Sequence, residues 1–225
     1  MNAKARTWVR VAWGSAFLSG LIFLSAWRLD YWRGWLYLAV NGLFFAATAW
    51  VLRHEAGLVS ERLRPGRGMV WWDKGYYLLS TPLYIGSIVL AAIDGGRRHW
   101  SSPPGAVPLA AAVAAYVAGQ SLFLWAKKAN PFFSSVVRIQ ADRGQTVCRG
   151  GPYRLCRHPG YLGGLLFGLS TPIILGSYWA LVPQGLAALL LIVRTFLEDR
   201  LLTKGLLWYS EYKQAVRAML VPGLW

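Results

Sequence analysis

Charged side chains are scarce in this chain: they make up 15% of its 225 residues, where a soluble domain of this size carries about 25%. Cysteine is scarcer, with only Cys148 and Cys156. Both fall in one predicted cytoplasmic loop, where a disulfide is not expected. Two thiols with one nearby imidazole, His158, are too few for a zinc site, so no metal is expected. Internal repeats and low-complexity stretches are missing as well. So is any soluble module able to carry a basic face, and the net charge of +15 therefore points to anionic lipid headgroups rather than to nucleic acid.

What is abundant is apolar sequence: 56% of the residues are hydrophobic, with 13 Trp, 11 Tyr and 9 Phe. These residues fall in blocks, and a bilayer core needs roughly 20 apolar residues per helix. The stretches Val11–Trp27, Gly34–Leu52, Gly75–Ile93 and Ala106–Ala126 meet or approach that length without an internal charge. The span Gly160–Val193 is also uncharged but too long for one crossing. It breaks near Gly176-Ser177-Tyr178, so it reads as two helices in a tight hairpin. The expectation is an all-α integral membrane protein of about six transmembrane helices, with five crossings or a re-entrant hairpin as alternatives. The first block has a basic start (Lys4, Arg6, Arg10) but ends in Trp27-Arg28 rather than a small-x-small cleavage site. It reads as a retained helix, not a signal peptide.

The basic residues assign a topology. With six crossings and a cytoplasmic N-terminus, 20 of the 24 Lys and Arg fall inside, and only Arg28, Arg33, Arg97 and Arg98 fall outside. Cytoplasmic loops carry such an excess, so both termini are expected in the cytoplasm.

The chain divides into a four-helix scaffold over residues 1–126 and a chemically richer part over residues 127–225. In the first part Asn41, Thr48, Ser80, Thr81 and Gln120 are candidates for interhelical hydrogen bonds. Pro82 removes one backbone donor from the third helix. The basic loop Arg53–Lys74, with Trp71-Trp72, reads as an interfacial belt. The external loop Asp94–Gly105 reads as a plain connector.

Two clusters in the second part carry chemistry. The first is Gly151-Pro152-Tyr153 followed by Arg157-His158-Pro159-Gly160-Tyr161. A residue before proline is pushed away from helical angles, and proline favours the first helical position. His158 should therefore end the loop and Pro159 begin the fifth helix. Its first free amides then face the headgroup zone and suit an anion, with His158, Tyr161 and Tyr153 around the same point. An interfacial aromatic anchor capped by a histidine fits the spacing equally. The second cluster is Arg194 and Glu198, four apart on one helical face, at the cytoplasmic end of the sixth helix. An ion pair at a helix end is the plain reading. The hairpin, however, returns this end to the level of His158, and ionisable residues at the hydrocarbon edge are functional candidates by default. The segment from Trp208 to Trp225 is amphipathic enough to lie on the membrane surface or to cover the site.

Taken together, Gly-Pro-Tyr, Arg157-His158-Pro159-x-Tyr161, a helical hairpin, Arg194-x-x-x-Glu198, Tyr209-x-x-Tyr212 and Pro222-Gly223-x-Trp225 resemble the isoprenylcysteine carboxyl methyltransferase family. The wider group includes phospholipid and small-thiol membrane methyltransferases. The resemblance spans about Gln145 to Trp225. It implies S-adenosyl-L-methionine as cofactor, held between the hairpin and the C-terminal segment. Its cofactor-binding positions correspond to Gln145, Thr146, Val147, Cys148, Tyr153, His158, Pro159, Gly160, Tyr161 and Glu198. Its substrate-contacting arginine corresponds to Arg194, which makes Arg194, Glu198 and His158 the candidate catalytic residues. The zwitterionic end of such a cofactor matches these residues: its carboxylate suits the helix-start amides and His158, its ammonium an acid such as Glu198. Tyr153 and Tyr161 can pack on a purine or face a sulfonium, because aromatic faces attract cations.

Two positions depart from the family pattern. Asp199 stands where paired glutamates are common, and it lies about 100° round the helix from Glu198, so little effect is expected. Arg138 stands where a glutamine is frequent. The implied activity is methyl transfer to a lipophilic or prenylated acceptor at the cytoplasmic membrane face, with an isoprenylcysteine-type carboxylate ahead of a phospholipid amine or a thiol. A membrane NADPH-dependent reductase with a related pocket should carry more helices and extra basic residues. A non-enzymatic transporter or assembly factor should show mid-membrane polar residues or inverted repeats; neither is present.

Overall fold

The computed structural model describes residues 3–51 and 68–223. Most of the basic loop that begins at Arg53, with Arg62, Arg64 and Arg67, and the terminal Leu224 and Trp225 lie outside the described residues. The described chain is all-helical. In chain order it forms α1 (Ala3–Ala26), α2 (Trp32–Val51), α3 (Trp71–Ile93), α4 (Ala106–Ala129), α5 (Pro159–Ile174), α6 (Leu181–Gly205) and the short α7 (Tyr209–Ala215).

Among the described residues, four helical spans are long and apolar enough to cross a membrane: Trp32–Val51, Trp71–Arg98, Ala106–Ala129 and Leu181–Gly205. Large apolar side chains on them, such as Leu43, Trp50, Leu78, Leu79 and Leu189, point outward. Exposed apolar surface on that scale needs lipid, not water, as its solvent. The fifth apolar block forms a shorter helix: α5 has 16 residues and spans about 24 Å at 1.5 Å per residue. Its start is drawn in beneath the loop that precedes it, where Pro159 is fully buried.

The hairpin expected at Gly176 is present between α5 and α6, and Gly176 adopts φ 89°. A Cβ there would sit 2.9 Å from Arg33 Cδ, so both conformation and space call for glycine. This end of the bundle is knit by polar contacts. Arg33, expected as an external flank, is only 8% exposed and donates to the carbonyls of Pro104 (2.7 Å), Ile173 (3.3 Å) and Ile174 (3.4 Å). It thereby adds a side-chain donor to the last carbonyls of α5, of which that of Ile173 also accepts the Gly176 amide at 3.1 Å. The Tyr31 hydroxyl donates to the Leu175 carbonyl. The loop from Asp94 is not the plain connector its sequence suggests. Asp94 is fully buried and accepts from the Ser101 amide (2.9 Å), the Ser101 hydroxyl (2.6 Å) and the Ser177 hydroxyl (2.5 Å). A carboxylate with three donors tolerates burial, and it ties this loop to the α5–α6 turn.

Of the polar residues expected to bridge helices, Asn41 on α2 does so, donating to the Tyr116 hydroxyl on α4 at 2.7 Å. Gln120 donates to the same hydroxyl at 3.1 Å from within α4. The closest helix pair is α4 with α5, where glycines let the backbones meet. A Cβ on Gly163 would lie 2.5 Å from the Gly119 carbonyl oxygen, and one on Gly119 would lie 2.7 Å from the Gly163 carbonyl oxygen. Backbone atoms cannot give way as a side chain can. Gly163→Ala is therefore expected to destabilise by about 1–3 kcal/mol. The control is Gly164→Ala, where a Cβ would meet only Leu191 at 3.4 Å. Melting temperatures in detergent should separate the two, and equal values would discount the contact.

Candidate active site

At the opposite end of the bundle, the start of α3, the end of α4, the start of α5, the end of α6 and α7 converge on the connecting segment 130–158. A cavity lies among them, with about 760 Å³ of unfilled space including its open mouth. Of the ten positions singled out as cofactor-binding, Gln145, Thr146, Val147, Cys148, Tyr153, His158, Gly160, Tyr161 and Glu198 line it. Pro159 does not. It supplies the helix start instead, with His158 immediately before the first turn as the proline rule requires.

The helix start offers fewer amides than expected. Those of Tyr161 and Leu162 turn back to the His158 carbonyl at 3.0 and 3.1 Å, so the expectation of an anion-binding amide falls on Gly160. Its Cα packs closely on Phe133, whose ring carbon would lie 2.9 Å from an added Cβ.

Glu198 is half-buried and accepts a hydrogen bond from the Tyr161 hydroxyl. A carboxylate has about four acceptor positions, so one phenol leaves it able to take a cation. His158 stacks on the Tyr161 ring with centroids 5.7 Å apart and planes 7° apart. Tyr153 is buried; Asn130 Nδ2 approaches its hydroxyl at 3.3 Å, and its carbonyl accepts from the Tyr212 hydroxyl at 2.7 Å. Gln145 Oε1 accepts the Gln140 amide at 2.7 Å, and Cys148 Sγ faces the Ala129 carbonyl at 3.3 Å. Burial pushes the Tyr153, Tyr209 and Tyr212 phenols up and the Cys156 thiol up to about 11. Cys148 is raised for the same reason. These groups are neutral near pH 7, and neither cysteine is a thiolate nucleophile.

Asp199 does point away from Glu198, but it is far from idle. It is 3% exposed and gathers Arg157 Nε (2.8 Å), Lys213 Nζ (2.7 Å) and the Tyr209 hydroxyl (2.9 Å), with His158 Nε2 at 3.3 Å. Arg157 Nη1 continues to the carbonyls of Val216 (2.9 Å) and Arg217 (2.6 Å). The Arg157 and His158 amides donate to the Ala218 and Met219 carbonyls, both at 3.0 Å. The C-terminal segment is thus strapped across the loop that feeds α5. Tyr209 and Tyr212 both face the cavity, as a covering segment should.

Arg194 is brought to this end but does not line the cavity. Its partner is Asp73, not Glu198: Nε and Nη2 reach the Asp73 carboxylate at 2.7 and 3.2 Å. Asp73 stands in neither motif cluster. The available signal was an acid at the edge of an apolar span, beside the Trp71-Trp72 pair. Arg138 lines the cavity and donates to Asp142 at 2.8 Å. Among the described residues, no three His, Cys, Asp or Glu side chains form a group that could hold a metal ion.

Residues 111–204 match the isoprenylcysteine carboxyl methyltransferase (ICMT) family. The match runs from within α4 to the end of α6. It contains both motif clusters and bears out the resemblance read from them, while the α7 tyrosines and the terminal Pro-Gly lie beyond it. No curated protein matches the chain. The match is to a family of methyltransferases, and the four long apolar helices among the described residues fit an integral membrane protein.

Proposed function

We propose, with the isoprenylcysteine carboxyl methyltransferase match as premise, that this chain transfers a methyl group from S-adenosyl-L-methionine to a lipophilic acceptor at the cytoplasmic membrane face. The acceptor group is an isoprenylcysteine-type carboxylate. The observation that carries this reading is the common cavity lined by Tyr153, His158, Gly160 and Tyr161 of one motif cluster, by Glu198 of the other and by the stretch Gln145 to Cys148. The topology that goes with it has both termini in the cytoplasm.

The donor set fits such a cofactor. Glu198 takes an ammonium; the Gly160 amide and His158 take a carboxylate. The rings of Phe133, Tyr153 and Tyr161, with Val147, Leu202 and Leu206, provide flat and apolar walls. When bound, the cofactor supplies a methyl group already activated by its sulfonium. The protein's work is then alignment and exclusion of water, and alignment alone can supply about 7–11 kcal/mol. Tyr161 holds Glu198 in place, the Asp199 cluster holds His158, and the C-terminal strap closes the outer side.

The same geometry favours a carboxylate acceptor over an amine or a thiol. Those two must surrender a proton, which calls for a poised base. Glu198 is the group that takes the cofactor's ammonium in this reading, and His158 Nε2 is engaged by Asp199 and approached by the Tyr209 hydroxyl at 3.5 Å. A carboxylate has no proton to lose and needs only a cation to hold it. The resemblance gives that role to Arg194, which stands behind the cavity wall on Asp73 and the Ser135 carbonyl and would have to reach the acceptor past that wall.

The test is calorimetric titration of the detergent-solubilised protein with S-adenosylhomocysteine and, separately, with NADPH. Saturable binding of the first at one site and none of the second is expected. A folded protein that binds NADPH and ignores S-adenosylhomocysteine would move the reading to a reductase.

A further inference from the structure

Asp73 belongs to neither motif cluster and lies outside the family match, yet it is 0% exposed and sits at the centre of a junction. It occupies the first turn of α3, where the helix dipole favours an anion. Besides Arg194, its Oδ2 accepts the Val137 amide at 2.8 Å. The Val70 amide donates to the Val137 carbonyl at 3.2 Å. Two residues earlier, the Ser135 carbonyl accepts from Arg194 Nη2 at 2.8 Å and from the Tyr77 hydroxyl. Ile139 abuts Gly205 at the end of α6. The odd-numbered positions 135, 137 and 139 are therefore held from behind by α3 and α6. The even-numbered Ser134, Val136, Arg138 and Gln140 all face the cavity. One wall of the site is an irregular segment whose register is set by Asp73 and Arg194.

The guanidinium of Arg194 is boxed in further by the rings of Tyr76, Tyr77 and Tyr161, at 4.6, 5.2 and 5.3 Å from their centroids. A buried guanidinium without its carboxylate would have to reorient or draw in water. The Tyr161 bond to Glu198 involves neither Arg194 nor Asp73 as a hydrogen-bond partner. The cofactor side of the cavity is therefore less directly tied to Asp73 than the wall formed by segment 134–138, whose Val137 amide Asp73 holds.

We propose that Asp73 is a positioning residue for the acceptor: by clamping Arg194 and the segment 134–138 into one unit, it sets the part of the cavity that receives the acceptor's anionic group. This rests on the proposed function insofar as Arg194 meets the acceptor. The clamp itself does not depend on that reading.

The experiment is a cycle of Asp73→Asn, Arg194→Gln and the double variant in the full-length, detergent-solubilised protein. Each is read by S-adenosylhomocysteine titration, by methylation of N-acetyl-S-farnesylcysteine, by melting temperature and by amide hydrogen exchange over 134–138. Asp73→Asn is expected to raise KM for the farnesylcysteine probe by about tenfold or more, because it disturbs the held geometry of Arg194. S-adenosylhomocysteine affinity should stay within about twofold, since the Tyr161 bond to Glu198 involves neither Arg194 nor Asp73 as a hydrogen-bond partner. Exchange at Val137 should quicken. In the Arg194→Gln background the Asp73 change should add little to any of these, and the double variant should melt above Asp73→Asn, because no lone buried charge remains. Equal losses of cofactor and acceptor affinity in Asp73→Asn, or additive effects of the two substitutions on melting and exchange, overturn the proposal. If the wild-type protein binds no S-adenosylhomocysteine, the proposed function fails on its own, and the melting and exchange cycle still decides whether the clamp exists.

Discussion

Glu198→Ala is expected to weaken binding of S-adenosylhomocysteine by about 30-fold or more while leaving the protein folded. Among the described residues that line the cavity, Glu198 is the one carboxylate, so it is the group able to receive a ligand ammonium there. Truncating one partner of a desolvated, hydrogen-bonded charge pair costs about 2–5 kcal/mol, or roughly 30- to several-thousand-fold in affinity at 1.4 kcal/mol per tenfold. The fold should survive, because Glu198 is only half-buried and its partner is the neutral hydroxyl of Tyr161. Glu198→Gln sharpens the test: its amide oxygen still accepts from Tyr161, but the charge is gone, so most of the affinity should go with it. Tyr161→Phe keeps the charge and loses one hydrogen bond, and its loss should be about tenfold, near 1–1.5 kcal/mol. Calorimetry on the three variants orders these losses. Wild-type affinity in a folded Glu198→Ala protein would remove the carboxylate from the site and with it the orientation of the cofactor.

How much of this was legible beforehand follows from the range of each interaction. Long apolar runs announce membrane helices locally, and a proline after His158 announces a helix start locally, so the places of α2 to α6 and the hairpin could be read, although α6 runs on to Gly205, well past the apolar span that ends at Val193. The cavity-lining residues could be named because they cluster in two short motifs that a hairpin brings to one level. Partner choice is a different matter. Arg194 and Glu198 are four apart and look like a pair, yet the guanidinium reaches Asp73, 121 positions away. Likewise Asp94, in what looked like a connector, answers to Ser177, 83 positions away. Helical periodicity says which face a residue occupies but not which helix lies opposite, and in a bundle that decides every buried ion pair. The alternation of 134–140 had the same fate. Residues without regular secondary structure show period two only once α3 and α6 have been placed behind them.

Asp199→Ala should act in the contrary way to Glu198→Ala, with a large loss of stability and a smaller direct loss of affinity. The Asp199 carboxylate does not line the cavity, but it is the common acceptor for Arg157, Tyr209 and Lys213 and the neighbour of His158. Lys213 is 43% exposed at its side chain and can turn to solvent, so it contributes little. Arg157 cannot, with a side chain 6% exposed and its other edge committed to the Val216 and Arg217 carbonyls. Removing the carboxylate strands that cation, and breaking a buried pair in this way costs about 3–5 kcal/mol. At 2–4 °C per kcal/mol for a chain of this size, the melting temperature should fall by on the order of 10 °C. The loss should also have a place. Amides of Arg157 and His158, which donate to Ala218 and Met219, should exchange faster as the strap loosens, while those of α4 and the far-end loops should not. Asp199→Asn keeps an acceptor for Arg157 and should fall between wild type and Asp199→Ala. Below the lowered melting temperature, Asp199→Ala should still bind S-adenosylhomocysteine, more weakly than wild type but more tightly than Glu198→Ala does. A melting temperature within a degree or two of wild type would mean that the strap is held by its backbone bonds alone, and that the buried carboxylate beside Glu198 contributes nothing to closing the site.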